Sequence, residues 1–241
     1  GPGLFLAGDR AGGAGVASVN DETAMLTNPA ALGKLRSYIL TVIDPEVDSS
    51  QYDSIIYANA NNNAVTEPQG LLDALELNTD KHWHAKAQVF PSFVTPNFGL
   101  GVFAKYQYDA DVVSNTYSFD YTNDYALVMG WALRLFDGRL KIGVSGSYHN
   151  RVETNLSIPS TTTGLTWETI VREGAATAAD GGIILTGPWT FLPTLTGVVR
   201  DIGTTSFNLN NGYFYKPSDA SAYTPQRQPY SVPQSIDVGL G

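Results

Sequence analysis

The chain has 241 residues, of which only 15% are charged, a formal net charge of −9 and no cysteine. This composition excludes disulfides and cysteine-based metal sites, and it argues against nucleic-acid binding, which requires a basic face. No run approaches the roughly 18 apolar residues of a membrane-spanning helix. The low charge therefore leaves two classes, a secreted β protein and a transmembrane β-barrel, in which alternation dilutes the apolar residues.

The first 35 residues are rich in glycine and alanine and lead to a break at Asn28-Pro29-Ala30. Small residues permit close backbone approach, and a proline ends a helix at a fixed place. The Asn28 side chain is expected to satisfy backbone groups that the break leaves open. We therefore expect residues 1–35 to form a compact segment that packs closely against another part of the protein. An ordinary helix end on a soluble protein is the alternative.

Strand patterns begin at Arg36, and we expect three long loops between the strands, at residues 44–85, 152–175 and 204–231. The second and third loops are also compatible with strand ends that extend beyond a membrane. Within the first loop, residues 67–78 predict a short helix. Pro68 suits a first helical turn, and Leu71, Leu72 and Leu75 share a face.

The clearest alternation spans residues 126–149 and contains a hairpin signal at Asp137-Gly138. One face of the two predicted strands is apolar and carries Leu127, Met129, Trp131, Leu133, Leu135, Leu140, Ile142, Val144 and Tyr148. The other face is small or polar. In a barrel, its lumen-facing residues are expected to include Arg134, Lys141, Ser145, Ser147 and His149.

This pairing of faces favours a membrane barrel over a β-sandwich, because a sandwich face exposed to water usually carries many charges. Predicted strands of about ten to thirteen residues also suit a tilted membrane crossing. We therefore expect an all-β fold, an antiparallel transmembrane β-barrel over residues 36–241. A soluble, secreted β-sandwich that binds carbohydrate or protein through tyrosine-rich loops remains the alternative.

The stretch AGGAGVASVNDETAMLTNPAAL carries a resemblance to a known family in its Gly-Gly-Ala run, acidic spacer and Asn-Pro-Ala motif. The matching positions are Gly12, Gly13, Ala14, Asp21, Asn28, Pro29, Ala30 and Leu32. They resemble the N-terminal signature of bacterial outer-membrane barrels of the long-chain fatty-acid transporter (FadL-like) superfamily. That superfamily includes PorV-like barrels, which assist secretion machines.

The resemblance implies that residues 1–35 form a plug, or hatch, inside the barrel, with Gly12, Gly13, Asn28, Pro29 and Ala30 as its signature. It implies location in the bacterial outer membrane, contact with membrane lipid, and passive transport or binding of hydrophobic small molecules. A non-enzymatic accessory barrel of a surface or secretion assembly, bound to a protein partner, is the second function. Neither reading calls for catalytic residues or a cofactor. Fewer strand patterns are present than in full barrels of this family, so we expect an incomplete portion of a longer protein, with a smaller barrel as the alternative.

A lipid-like ligand would need an apolar site, because an acyl chain gains about 0.8 kcal/mol for each buried CH₂ group. The bulky apolar residues of the hatch are Leu4, Phe5, Leu6, Met25 and Leu26. We expect them to line such a site. The alternative is that they pack against the barrel wall and leave no space.

His82 and His84 are two residues apart, so on a strand they share a face. Two imidazoles bind a metal only if a third ligand arrives from elsewhere, and the sequence indicates no partner carboxylate. Asp109 and Asp111 lack the spaced ligand series of a calcium loop. We therefore expect no metal site, and we interpret the histidines as polar residues beside an interfacial Trp83.

Overall fold

The computed structural model describes residues 23–42, 45–49, 67–76, 82–189, 192–209, 214 and 228–241. Five of the predicted hatch and ligand residues, Leu4, Phe5, Leu6, Gly12 and Gly13, lie outside these ranges. Within them are eleven strands: β1 (Ile39–Thr41), β2 (Glu46–Ser49), β3 (His82–Val89), β4 (Ser92–Thr95), β5 (Phe98–Val113), β6 (Thr116–Leu135), β7 (Leu140–Pro159), β8 (Arg172–Thr186), β9 (Thr194–Arg200), β10 (Asn208–Leu209) and β11 (Ser235–Leu240). The helices are α1 (Ala24–Thr27), α2 (Pro68–Glu76) and α3 (Trp167–Ile170), with 3₁₀ helices at Pro29–Lys34 and Phe136–Gly138.

All eleven strands belong to one antiparallel sheet, as the alternation predicts for an all-β chain. The main order is β1-β4-β5-β6-β7-β8-β9-β11, while β3 joins β2 to β5 and β10 pairs with β8. The first and last strands of this order do not pair with each other among the described residues. The described sheet is therefore open and not a closed barrel.

The strands β6 and β7 are much longer than the alternation alone predicts. Their pairing runs without a register shift from Thr116 opposite Pro159 to Leu135 opposite Leu140. Residues 136–139 close this hairpin, a four-residue loop rather than the predicted two-residue turn. Phe136, Asp137 and Gly138 all have positive φ there, so the chain reverses over more residues than an Asp-Gly turn needs.

Strand extends into all three of the predicted loops, and for the second and third this fits the alternative of longer strands. Strand β7 continues to Pro159 and β8 begins at Arg172, so both ends of the predicted loop 152–175 are strand. The loop predicted at 44–85 contains β2 and most of β3, and the one at 204–231 contains β10. Threonine- and asparagine-rich segments join the sheet here because long neighbouring strands offer them partners. The predicted helix is confirmed as α2.

The two sides of the sheet differ sharply in the half nearest the 136–139 loop. On one side, here called the apolar side, large side chains are exposed; Trp131 is 65% exposed and Leu133 61%. The opposite side, here called the plug side, buries Ala126, Val128 and Ala132. The split follows the period-two pattern of the sequence, because successive side chains of a strand point to opposite faces.

In the other half of the sheet, the apolar side is covered. Tyr117, Phe119 and Tyr121 lie on the same side as Leu127, because the register of β6 contains no bulge. They are buried in a core with the helices α2 and α3, and its largest further members are Leu72, Leu75, Trp83, Val152, Leu156, Leu165 and Ile170. On the main strands, the exposed apolar side chains of this side thus form a band across one half of the sheet.

None of the helices within the described ranges is both long enough and apolar enough to cross a membrane.

Candidate functional site

A short inner segment, Ala24–Leu35, lies on the plug side of the sheet. It consists of α1, an extended Asn28 and the 3₁₀ helix Pro29–Lys34. The Asn28 Oδ1 atom accepts a hydrogen bond of 3.1 Å from the backbone N–H of Ala30, which caps the 3₁₀ helix. Proline at the first helical position has no N–H to leave unsatisfied. The Asn-Pro-Ala motif therefore sets a tight corner between two short helices.

The inner segment fits the sheet because four glycines leave room for it. Gly99 lies opposite Gly130, and Gly143 lies opposite Gly182, on the adjacent strands β5 to β8. A Cβ atom at Gly143 would lie less than 3.0 Å from backbone atoms of Pro29 and Ala30. We call these four residues the glycine trough.

Each remaining glycine of the trough has its own neighbour in the inner segment. A Cβ atom at Gly182 would come within 3.0 Å of Asn28 Oδ1, one at Gly99 within 3.0 Å of Met25, and one at Gly130 to 2.9 Å from Leu32. Real Cβ atoms essentially never approach that closely. A side chain at Gly143 would therefore displace backbone of the inner segment, whereas one at Gly99 or Gly130 would force Met25 or Leu32 to shift.

Two of the predicted ligand residues lie in this contact. Met25 is fully buried and Leu26 is 7% exposed. Both belong to a core that also contains Ala30, Leu32, Val94, Phe103, Val128 and Ile184. Met25 and Leu26 thus pack against the sheet.

Polar contacts add to the apolar packing of the inner segment. An Arg200 Nη atom donates to the Thr27 carbonyl at 3.0 Å, and the backbone N–H of Asn97 donates to the Leu32 carbonyl at 3.2 Å. These bonds hold both short helices. Because the partners are on β9 and in the β4–β5 turn, they connect the segment to widely separated parts of the sheet.

Four of the five predicted lumen residues lie on the plug side at low exposure. Lys141, Ser145 and His149 are buried, and Ser147 is partly buried. The Lys141 ammonium donates to the Gly138 carbonyl, Ser145 donates to Asp180 at 3.2 Å, and Ser147 Oγ is 2.6 Å from His149 Nε2. The fifth, Arg134, is exposed at the end of β6. The first four therefore form a hydrogen-bonded polar surface on the plug side of the sheet. Arg134 lies at the end of the sheet, near the 136–139 loop.

A basic cavity of about 320 Å³ lies next to Arg134, where Gly33 and Lys34 at the end of the inner segment form part of its lining. Its charged lining is Lys34, Arg36, Arg134, Asp137, Arg139 and Lys141. Five of the fourteen Lys and Arg residues of an acidic chain thus converge on one cavity. The arrangement favours contact with anions at this end of the sheet.

Beyond the inner segment, the plug side carries a buried ion-pair cluster. The Arg151 guanidinium binds both carboxylate oxygens of Asp124, at 2.6 and 2.8 Å. Glu153 receives the backbone N–H of Tyr230 at 2.8 Å and lies 3.8 Å from Arg172. Burial raises the pKa of Glu153, and the Tyr230 bond and the two arginines only partly oppose that rise. Sequence reasoning missed this cluster, since its members come from three strands.

A second polar cluster lies at the far end of the plug side. His82 and His84 meet Asp109, because β3 and β5 pair with His84 opposite Asp109 and His82 opposite Asp111. Burial by itself would raise the pKa of the Asp109 carboxyl, but hydrogen bonds from Gln107 and His84 and both imidazoles hold it below its usual value. The register thus supplies the carboxylate that the sequence does not indicate.

No family model, curated protein or solved structure matches this chain.

Proposed function

We propose that this chain forms the wall and plug of a bacterial outer-membrane β-barrel. The observation that carries the proposal is the band on the apolar side, which crosses all eight strands of the main sheet order. Its exposed members are Leu40, Phe93, Leu100, Val102, Leu127, Met129, Trp131, Leu133, Leu135, Ile142, Val144, Tyr148, Ile183, Leu185, Leu195, Ile236, Val238 and Leu240. None of these positions carries a charge.

The size of the band suits a bilayer better than water. Soluble monomers rarely expose a contiguous apolar patch larger than a few hundred Å². Along β6 the band runs over nine residues, from Leu127 to Leu135. A tilted transmembrane strand needs about 9–11 residues to cross the bilayer. The covered half of the sheet, with α2 and α3, would then stand above the membrane.

The plug part of the proposal rests on the glycine trough. The inner segment packs on the side opposite the band, which is the lumen side if the band faces lipid. The proposal also requires partners for the edges of β1 and β11, because backbone groups in lipid must be hydrogen-bonded within protein.

The packing of the inner segment favours an accessory, non-enzymatic role for the barrel within a surface or secretion assembly. Met25 and Leu26 fill their space against the sheet, so the described part of the plug is closed. The polar lining around His149 and Arg151 offers little to an acyl chain. A protein partner would meet the covered half of the sheet outside the membrane.

Passive transport of hydrophobic small molecules is the second candidate, favoured by the apolar core beneath the plug. Such a route would need the inner segment to leave the trough and expose residues such as Val128 and Ile184. A fluorescent fatty acid distinguishes the two roles. The accessory role predicts no saturable binding to the purified protein, whereas transport predicts binding that Leu26→Asp abolishes.

Membrane insertion itself is tested by flotation with lipid vesicles after refolding. We expect the protein to float with the vesicles and to resist extraction by carbonate at high pH. A protein that stays in the soluble fraction as a folded monomer would contradict the membrane proposal and favour the secreted β-sandwich.

A further inference from the structure

The histidines of β3 present both imidazole rings on one side of the sheet. His82 and His84 lie on the plug side, while Trp83 between them is buried in the core of the apolar side. The period of two places the rings next to each other along the strand. Asp109 lies directly across on β5, opposite His84. Two nitrogen ligands and one oxygen ligand are therefore fixed by a regular pair of strands.

The distances between the three side chains suit a shared ion. The Oδ1 atom of Asp109 is 2.6 Å from His84 Nδ1 and 3.3 Å from His82 Nε2. One ligand atom from each residue can be chosen so that all lie within 4.8 Å of one another. Ligands at about 2.0–2.1 Å from a tetrahedral zinc ion are about 3.3 Å apart. Small side-chain rotations therefore bring the three atoms onto one ion.

The second nitrogen of each ring also faces a carboxylate. His82 Nδ1 is 3.7 Å from Asp111 Oδ2, and His84 Nε2 is 3.7 Å from Asp48 Oδ2 on β2. Metal-binding histidines almost always donate their other N–H to such a partner, which fixes the tautomer and the ring orientation. At 3.7 Å neither contact is a hydrogen bond, but each ring has a carboxylate close to its other nitrogen. This placement occurs twice around one carboxylate, and the repetition points to a ligand.

We propose that His82, His84 and Asp109 bind a zinc ion, with Asp111 and Asp48 holding the two imidazoles. Imidazole nitrogen with one carboxylate suits zinc, whereas calcium and magnesium prefer oxygen ligands. A water molecule completes the tetrahedron. The ion would link strand β3 to the long strand β5.

The site is open to solvent, because the His82 side chain is 56% exposed and that of Asp109 30%. Three carboxylates surround the two rings, so a divalent cation is also favoured by charge. The third histidine of the chain, His149, is buried on β7 next to Ser147. The proposed site does not depend on the membrane proposal, since it involves neither the apolar band nor the inner segment.

The test is a calorimetric titration of the purified, chelator-treated protein with zinc chloride. We expect one equivalent of zinc to bind, with no competition from calcium. His84→Gln and Asp109→Asn should abolish this binding, and Asp111→Asn should weaken it by about 10–100-fold, as outer partners of metal sites do. Asp137→Asn, at the opposite end of the sheet, is the matched control and should bind as the wild type does.

Two results would overturn the proposal: a wild-type protein that takes up no zinc, or His84→Gln and Asp109→Asn variants that bind it as tightly as the wild type. The His82→Gln variant shows whether a loss of zinc binding is caused by misfolding. Because the His82 ring is exposed and contributes little to packing, this variant should lose zinc binding while its circular dichroism spectrum is unchanged. Substitution with Co²⁺ adds a direct readout, the intense visible absorption of a tetrahedral site. An octahedral Co²⁺ spectrum would contradict the proposed ligand set.

Discussion

The side chain of Asn28 occupies the space that a side chain on Gly182 would need. A Cβ atom at Gly182 would lie less than 3.0 Å from Asn28 Oδ1, the atom that caps the 3₁₀ helix through Ala30. The corner of the inner segment at Asn28 therefore fits against the sheet only because residue 182 of β8 has no side chain. Gly143, opposite Gly182 on β7, meets the next two residues, Pro29 and Ala30, in the same way.

Gly143→Ala should destabilise the protein, because the new methyl group meets backbone atoms that cannot rotate away. We expect the free energy of unfolding to fall by about 1–3 kcal/mol, the usual cost of overpacking. Gly146→Ala is the matched control on the same strand, since the nearest atom to its Cβ is 4.0 Å away. Equal urea midpoints for the two variants would show that the inner segment does not occupy the trough.

Asn28→Ala should loosen the inner segment without changing the sheet. The substitution removes the oxygen that accepts from Ala30, and loss of such a cap costs about 1 kcal/mol. Hydrogen exchange measures the effect locally: the amides of 26–35 should exchange faster, while those of β6 and β7 should not. Asn28→Ser keeps a capping oxygen and should stay closer to the wild type. Rapid exchange of these amides already in the wild type would contradict the packing.

Met129→Arg tests whether the apolar band lies in the bilayer. If the band lies in the bilayer, an arginine near its middle should cost about 2–4 kcal/mol of folding free energy in lipid vesicles, falling to about 0–1 kcal/mol near an interface. Thr177→Arg is the control, because Thr177 lies on the same side opposite Tyr148, at the edge of the band. Folding titrations that give the same cost at both positions would contradict a lipid-facing band.

Asp124→Asn should be among the most damaging single changes on the plug side. It leaves the Arg151 guanidinium buried without its bidentate partner, and breaking a buried ion pair in this way costs about 3–5 kcal/mol. Glu153 and Asp201 lie near enough to offset part of that cost. The double variant Asp124→Asn/Arg151→Met should recover stability relative to Asp124→Asn alone. Additive losses in the double-mutant cycle would argue against a coupled pair.

The side of the sheet that a residue faces is predicted best where a single strand alternates between apolar and small or polar residues. Between Leu127 and Leu135 every second residue is large and apolar, so the two sides of β6 follow from period two alone. Further along β6 the same side of the strand changes from exposed to buried, at Tyr117 and Phe119. The residues of β6 themselves do not predict this change. It depends on α2 and α3, which approach from distant parts of the chain.

The candidate sites show the same division. Asn28-Pro29-Ala30 is visible as a break in the sequence, but the glycines that receive it are spread over β5 to β8 and are paired only by the register. Likewise, His82 and His84 share a face by spacing, whereas Asp109 becomes their neighbour only when β3 aligns with β5. Single-strand periodicity cannot supply either relationship, because both are set by pairing between strands.

Fluorescence quenching by brominated lipids tests the central claim, that the apolar side faces the bilayer, most directly. Trp131 is 65% exposed in the band, whereas Trp83 is 4% exposed in the core around α2. Because Trp189 is also 59% exposed, both variants are made in a Trp189→Phe background. In vesicles of brominated lipid we then expect strong quenching that Trp131→Phe largely removes and Trp83→Phe leaves in place. Quenching that is absent, or that is unchanged by Trp131→Phe, would contradict a lipid-facing band.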